Sequence, residues 1–290
     1  MQNMFFIKNI ITRAPYKSSY GFVSQPLRIS ASRLKYKPAL MQDTLEFIAK
    51  GAEGAVYRIL NTNLAIKIKN YADLKTSLKS HINFAVSEEE KINHIKAKIG
   101  ENIEIMDFIK GEQIKGQFKQ QDFQTEKIKE CLKYIYNASQ KGMRHDYGGR
   151  NIIFDTKTRN MTPIDFIKSN QGQKYFLIND MFIQLYNSAK NTQEIESLIS
   201  KISLGFLDLL RNNTINKNGC KNLSTELKTV KDIVSTNNHL RDSLDFILNL
   251  EKDLQNVMQK KTMSGLFPDS QKEFIESLKT LETKLKSKII

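Results

Sequence analysis

The chain has little of several residue types that would mark a function at once. It has two cysteines in 290 residues, Cys131 and Cys220, and they form no metal-ligand spacing. That excludes a disulfide scaffold and a cysteine-based zinc site, and two free thiols in a reducing compartment is the expectation. The four histidines, His81, His94, His145 and His239, are too scattered for a zinc cluster. No apolar run reaches the roughly 18 residues of a membrane span, so no membrane-spanning segment is expected. Acidic residues are absent from Met1 to Gln42, where Lys8, Arg13, Lys17, Arg28, Arg33, Lys35 and Lys37 supply half of the net charge of +14. The rest of the excess is spread among mixed charges. It forms no single basic face, and no nucleic-acid partner is expected.

Residues 1–42, with Pro15, Pro26, Pro38 and many serines, read as a flexible basic leader. Its composition suits a mitochondrial transit peptide or a bacterial secretion signal. Short apolar stretches then alternate with turns. Leu45–Ile48, Ala55–Leu60, Leu64–Ile68 and Ile103–Ile109 read as strands, and a helix is predicted near Val86–Lys98. A further helix carries Ile128, Leu132 and Ile135 on one face and stops at Gly142. Beyond it the chain reads as helical. Ile195, Leu198, Ile199 and Ile202 follow a start at Asn191 and Glu194; Leu223, Leu227, Val230 and Val234 make a second stripe. Leu240, Leu244, Ile247, Leu254 and Val257 make a third, and Phe274, Leu278, Leu281 and Leu285 a fourth after Ser270-x-x-Glu273. Such stripes are core faces first. No internal repeat occurs.

Four segments carry chemistry. Ile48-Ala-Lys-Gly51-Ala-Glu-Gly54-Ala-Val56-Tyr57 fits the phosphate-covering loop G-x-G-x-x-G-x-V except at its first glycine, which is Ala49. Glycines bring backbone N–H groups close to phosphate oxygens, although two glycines in a hairpin also make an ordinary turn. Ala65-Ile66-Lys67, thirteen residues past Gly54, reads like the V-A-I-K strand, whose lysine reaches the α- and β-phosphates. Alternation puts Lys67 and Lys69 on one face, and the tripeptide favours Lys67. Such a lysine needs a helix carboxylate, for which Glu88, Glu89 and Glu90 are all available, as well as being an ordinary solvated surface. Met106-Asp107-Phe108-Ile109-Lys110-Gly111 resembles a hinge, with Asp107 and Phe108 at the nucleotide.

The most specific signal is Gly142-Met-Arg-His-Asp146-Tyr-Gly-Gly-Arg-Asn151, which keeps the D-x-x-x-x-N spacing of a kinase catalytic loop. Asp146 would accept the substrate hydroxyl proton and Asn151 would hold Mg²⁺. Fourteen residues later, Asp165 of Pro163-Ile164-Asp165-Phe166-Ile167 takes the place of the metal-binding DFG aspartate. Three departures stand out. Arg144-His145-Asp146 replaces His-Arg-Asp, so the phospho-reading arginine is absent from its position. Asp-Phe-Ile replaces Asp-Phe-Gly. No proline lies between Pro163 and Pro268, so no Ala-Pro-Glu occurs there and the usual activation segment is not expected.

With those departures, residues 45–170 resemble the small type III secreted effector kinases of the OspG and NleH families, which pair a shortened C-lobe with an Asp-x4-Asn loop and a Pro-Ile-Asp motif. In those kinases the helix glutamate precedes an asparagine by five residues. Glu88 stands five before Asn93 here, so the resemblance selects Glu88. It also carries over Lys67 as the lysine, Asp146 as the base, and Asn151 and Asp165 as metal-binding residues.

The resemblance implies an α+β, two-lobed kinase-like fold. Residues 43–111 would be the N-lobe, 112–190 a minimal C-lobe, and 191–290 an additional helical region. It implies a Ser/Thr kinase using ATP and Mg²⁺, secreted by a type III system into a host cell and acting on a host protein. A ubiquitin-conjugating enzyme carrying ubiquitin is the activating partner it suggests. The nucleotide would meet Gly51, Gly54, Val56, Ala65, Lys67, Asp107 and Phe108. The alternatives are a pseudokinase that captures a host protein, and a small-molecule kinase. About 120 residues follow the Asp-Phe-Ile motif, far more than in those relatives.

Overall fold

The computed structural model describes residues 45–50, 54–69, 80–114, 122–145, 151–168, 186, 189–212, 214, 217–267 and 269–289. The expected leader, residues 1–42, lies outside them. The chain is α+β and divides into two compact units after Ile109.

The N-terminal unit is a six-stranded sheet whose neighbours all pair antiparallel. In chain order it has β1 (Leu45–Lys50), β2 (Ala55–Ile59), β3 (Leu64–Ile68), β4 (Ile82–Asn83), a short helix α1 (Glu88–Ile92), β5 (Ile95–Ile99) and β6 (Ile103–Asp107). In space the order is β1-β2-β3-β6-β5-β4. Isoleucines recurring at every second position suit a pleated surface with one buried face. Ile59, Ile66, Ile68, Ile99, Ile103 and Ile105 make that face, with Tyr57, Ala55 and Ala97. Each buried isoleucine contributes about 1.5–3 kcal/mol by leaving water.

The helix predicted over Val86–Lys98 is real only at Glu88–Ile92. Asn93 caps it, His94 turns into left-handed backbone at φ 62°, and Ile95–Ile99 runs on as β5. The Ile95, Ala97, Ile99 alternation is a two-residue period, and all three side chains are buried. Strand pairing with β6 wins over helix propensity there.

The second unit opens with β7 (Glu112–Gln113) and α2 (Thr125–Gln140). Ile128, Leu132 and Ile135 of α2 are buried as expected, and Gly142 follows at φ 79°. Four three-residue strands come next: β8 (Met143–His145), β9 (Ile152–Phe154), β10 (Met161–Pro163) and β11 (Phe166–Lys168). Strands β10, β9 and β7 form one small sheet, and β11 and β8 another.

Helices α3 (Thr192–Arg211), α4 (Lys217–Thr236), α5 (Leu244–Ser264) and α6 (Asp269–Lys286) complete the unit, with a 3₁₀ turn at Asn238–Ser243 before α5. The Asn191 side chain accepts from the Glu194 N–H at 2.9 Å and caps α3. Fourteen residues of α3 are buried, and it packs against α2, α4, α6 and the 3₁₀ turn. A helix buried over so much of its surface is a core helix, and α3 is the core of this unit. Burial pushes the Lys201 ammonium below its ordinary range, opposed by the charge of Asp122. The Cys131 thiol is free, and burial pushes it well above the usual thiol range, so it is unreactive.

Candidate functional site

The face of the N-terminal sheet opposite its core gathers several of the expected residues. Across the β2–β3 ladder Val56 faces Lys67, and Arg58 faces Ala65. Across β3–β6, Ala65 faces Met106 and Lys67 faces Glu104. Directly opposed residues in an antiparallel pair share a face, so Val56, Ala65, Lys67, Met106 and Glu104 lie together. Ala65 is buried, while Val56 and Lys67 are half-buried.

Gly54 immediately precedes β2, and a Cβ there would clash with the Ile68 carbonyl oxygen at the end of β3. Only glycine permits that approach. Gly51 lies outside the described residues. At the end of β6 the Phe108 N–H donates to the Asn63 carbonyl at 2.8 Å, and its ring lies 4.5 Å beneath the Arg58 guanidinium. The Asp107 carboxylate is 2.9 Å from Lys96 Nζ.

Helix α1 begins with a capping box: Ser87 Oγ accepts from the Glu90 N–H, and Glu90 Oε2 accepts from the Ser87 N–H at 2.7 Å. The other oxygen of Glu90 accepts from Lys98 Nζ at 2.7 Å. Lys98 and the Ser87 N–H together hold the Glu90 carboxyl below the usual carboxylate range, and Glu90 in turn raises Lys98. Glu88 is placed differently. Its side chain is 61% exposed and accepts from Lys91 Nζ at 2.7 Å.

In the second unit, β8 and β11 pair so that His145 faces Phe166. His145 immediately precedes Asp146, which itself lies outside the described residues, and Phe166 immediately follows Asp165. The His145 ring is buried and stacks edge-on to Phe166, with centroids 5.1 Å apart. Its Nε2 lies 2.9 Å from the Asn151 carbonyl oxygen. A carbonyl only accepts, so Nε2 carries the proton. The same carbonyl accepts from the Ile164 N–H at 2.8 Å. Asn151 and Asp165 are thereby tied through one residue. Asp165 is exposed and sits at φ 57°, a left-handed conformation that non-glycine residues adopt at a cost.

Asn151 and Asp165 offer one amide oxygen and one carboxylate, hard donors that suit Mg²⁺. Among the described residues no three His, Cys, Asp or Glu side chains gather into a cage. Magnesium needs none, because it keeps water and phosphate oxygens in its shell.

No pattern in the sequence singles out Glu104 or His145. Glu104 stands alone between Ile103 and Ile105, where alternation reads it as solvent-facing, and yet it is 4% exposed. The Ser87-x-x-Glu90 capping spacing could have found Glu90.

No family model matches the chain, and neither does any curated protein. Among the described residues no helix is long and apolar enough to cross a membrane.

Proposed function

We propose that this chain is a Mg-ATP-dependent protein kinase that phosphorylates Ser or Thr hydroxyls, with the N-terminal unit as its N-lobe and the second unit beginning its C-lobe. The observation that carries the reading is the tie between Asn151 and Asp165. Two residues picked out by motif and spacing are joined through the Ile164 N–H and the His145 ring. Further support comes from Val56, Ala65 and Lys67, which share one sheet face with the lysine on the third strand, as in protein kinases.

In this reading Lys67 holds the α- and β-phosphates. Asn151 and Asp165 would hold Mg²⁺, which when bound neutralises charge on the phosphate oxygens. The substrate hydroxyl oxygen attacks the γ-phosphorus and the bond from phosphorus to the ADP oxygen breaks. Asp146 takes the hydroxyl proton. Positioning and charge stabilisation supply most of the rate.

Delivery into a host cell, a host-protein substrate and activation by a ubiquitin-conjugating enzyme carrying ubiquitin belong to the same proposal. They rest on the resemblance of residues 45–170 to secreted effector kinases. The test is transfer of labelled γ-phosphate to generic protein substrates, with Mg²⁺ present or chelated. Metal-dependent labelling of Ser or Thr supports the proposal. Its absence from folded protein, with and without ubiquitin-charged conjugating enzyme, counts against it.

A further inference from the structure

A phosphate-binding lysine on a strand needs a carboxylate to hold it in place. Glu104 faces Lys67 directly across the β3–β6 ladder. It is 4% exposed, and its Oε1 lies 2.5 Å from the Nζ of Lys69, two residues on from Lys67 and just past the end of β3. A carboxylate buried this far is costly unless cations accompany it, so its place among lysines is a built feature. On its other side Glu104 faces Lys98 across β5–β6, and Lys98 is itself held by Glu90. Charges therefore alternate across the sheet from α1 to β3. Glu88 has a different setting: it is exposed and bonded to a lysine of its own helix.

We propose that Glu104 is a carboxylate that positions the phosphate-binding lysine of this chain. The inference rests on the kinase reading and refines it. A carboxylate has two oxygens and about four acceptor sites, so it serves two ammonium groups at once. Lys69 anchors one oxygen of Glu104 and fixes the carboxylate on this face. Lys67, directly opposite, is then held near a fixed negative charge while its ammonium meets the phosphates. The carboxylate also offsets repulsion between two lysines about 7 Å apart along one strand. Glu104 touches no reacting atom in this account. It is a positioning residue.

The experiment compares full-length wild type, Glu104→Gln, Glu104→Asp and Glu88→Gln. It measures binding of a fluorescent ATP analogue with Mg²⁺, kcat, KM for ATP and thermal stability. Glu104→Gln keeps the shape and removes the charge. The expected result is a raised KM for ATP and a fall in kcat/KM of about 10²-fold, the scale of a misplaced reacting group. The loss should exceed that of Glu88→Gln, and Glu104→Asp should recover part of it. A merely structural role would lower thermal stability and leave KM for ATP unchanged in the folded fraction. If Glu104→Gln does not fold, Glu104→Asp decides, and wild-type kinetics in that variant overturn the inference. Wild-type kinetics in folded Glu104→Gln overturn it too, as does a larger loss in Glu88→Gln. A wild-type protein that neither binds nor turns over ATP sinks the kinase reading instead.

Discussion

The imidazole Nε2 of His145 donates to the main-chain carbonyl of Asn151 across 2.9 Å, so the end of β8 holds the start of β9. The ring doing this work also packs on Phe166, the neighbour of Asp165. One buried side chain therefore braces both metal-binding candidates. His145→Phe keeps the ring packing and deletes the donor. Because Ile164 still satisfies the carbonyl, the stability loss should be modest, about 1 kcal/mol. The functional cost should appear as a higher Mg²⁺ concentration at half-maximal turnover. Chemical denaturation and a Mg²⁺ titration measure the two, and an unchanged titration contradicts the bracing role.

Asp165 allows stability and activity to be separated. Its φ of 57° suits asparagine almost as well as aspartate, whereas alanine there costs about 1–2 kcal/mol. Asp165→Asn should therefore melt close to wild type, and Asp165→Ala should melt lower. Both should lose metal-dependent nucleotide binding and turnover together. Calorimetry beside a phosphotransfer assay checks this. Normal turnover in Asp165→Asn removes the residue from the metal site.

The Glu90 carboxyl titrates below its ordinary value of 4.5, held there first by Lys98. Its stabilisation is thus present above the ordinary value and lost as pH falls through the lowered one. Lys98 is raised above 10.5, chiefly by Glu90, so the pair also weakens as pH rises through the raised lysine value. Glu90→Gln should be less stable than wild type near neutrality by a few tenths to about 1 kcal/mol, allowing for solvent screening of a half-exposed pair. The gap should close in acid. Melting curves from about pH 7 down to about pH 3 test it, and a gap that persists contradicts the assignment.

Much of this architecture is legible in the sequence because it is local. The capping Asn191 and the Phe274, Leu278, Leu281, Leu285 stripe announce their helices, and Ala55–Ile59 and Leu64–Ile68 their strands. The failures are non-local. Ile95–Ile99 was legible as a helix end until His94 reversed the backbone and β6 supplied a ladder. Strands β8 to β11 are three residues each, too short for any period to show. Glu104 is buried only because β3 and β5 flank it with Lys69 and Lys98. In the candidate site, short motifs and their spacing named Lys67, Asn151 and Asp165. They could not name His145, whose role lies in a contact six residues away.

His145 stands where kinases regulated by activation-loop phosphorylation carry an arginine, and no Ala-Pro-Glu occurs downstream. Activity should therefore not depend on phosphate between Asp165 and Asn191. Phosphatase-treated and untreated protein should turn over ATP alike, and a loss that maps to that segment contradicts the expectation.

In the proposed mechanism Asp146 is the residue at which the substrate hydroxyl loses its proton. Asp146→Ala should bind Mg-ATP with nearly wild-type affinity, because the proposed mechanism leaves the phosphates and metal to Lys67, Asn151 and Asp165. Turnover should fall by about 10²–10⁴-fold, the usual contribution of a general base. The measurement is labelled phosphate transfer by Asp146→Ala beside wild type, with nucleotide affinity determined on the same preparations. Intact binding with turnover reduced on that scale is the predicted result, and unchanged turnover would contradict the kinase assignment itself.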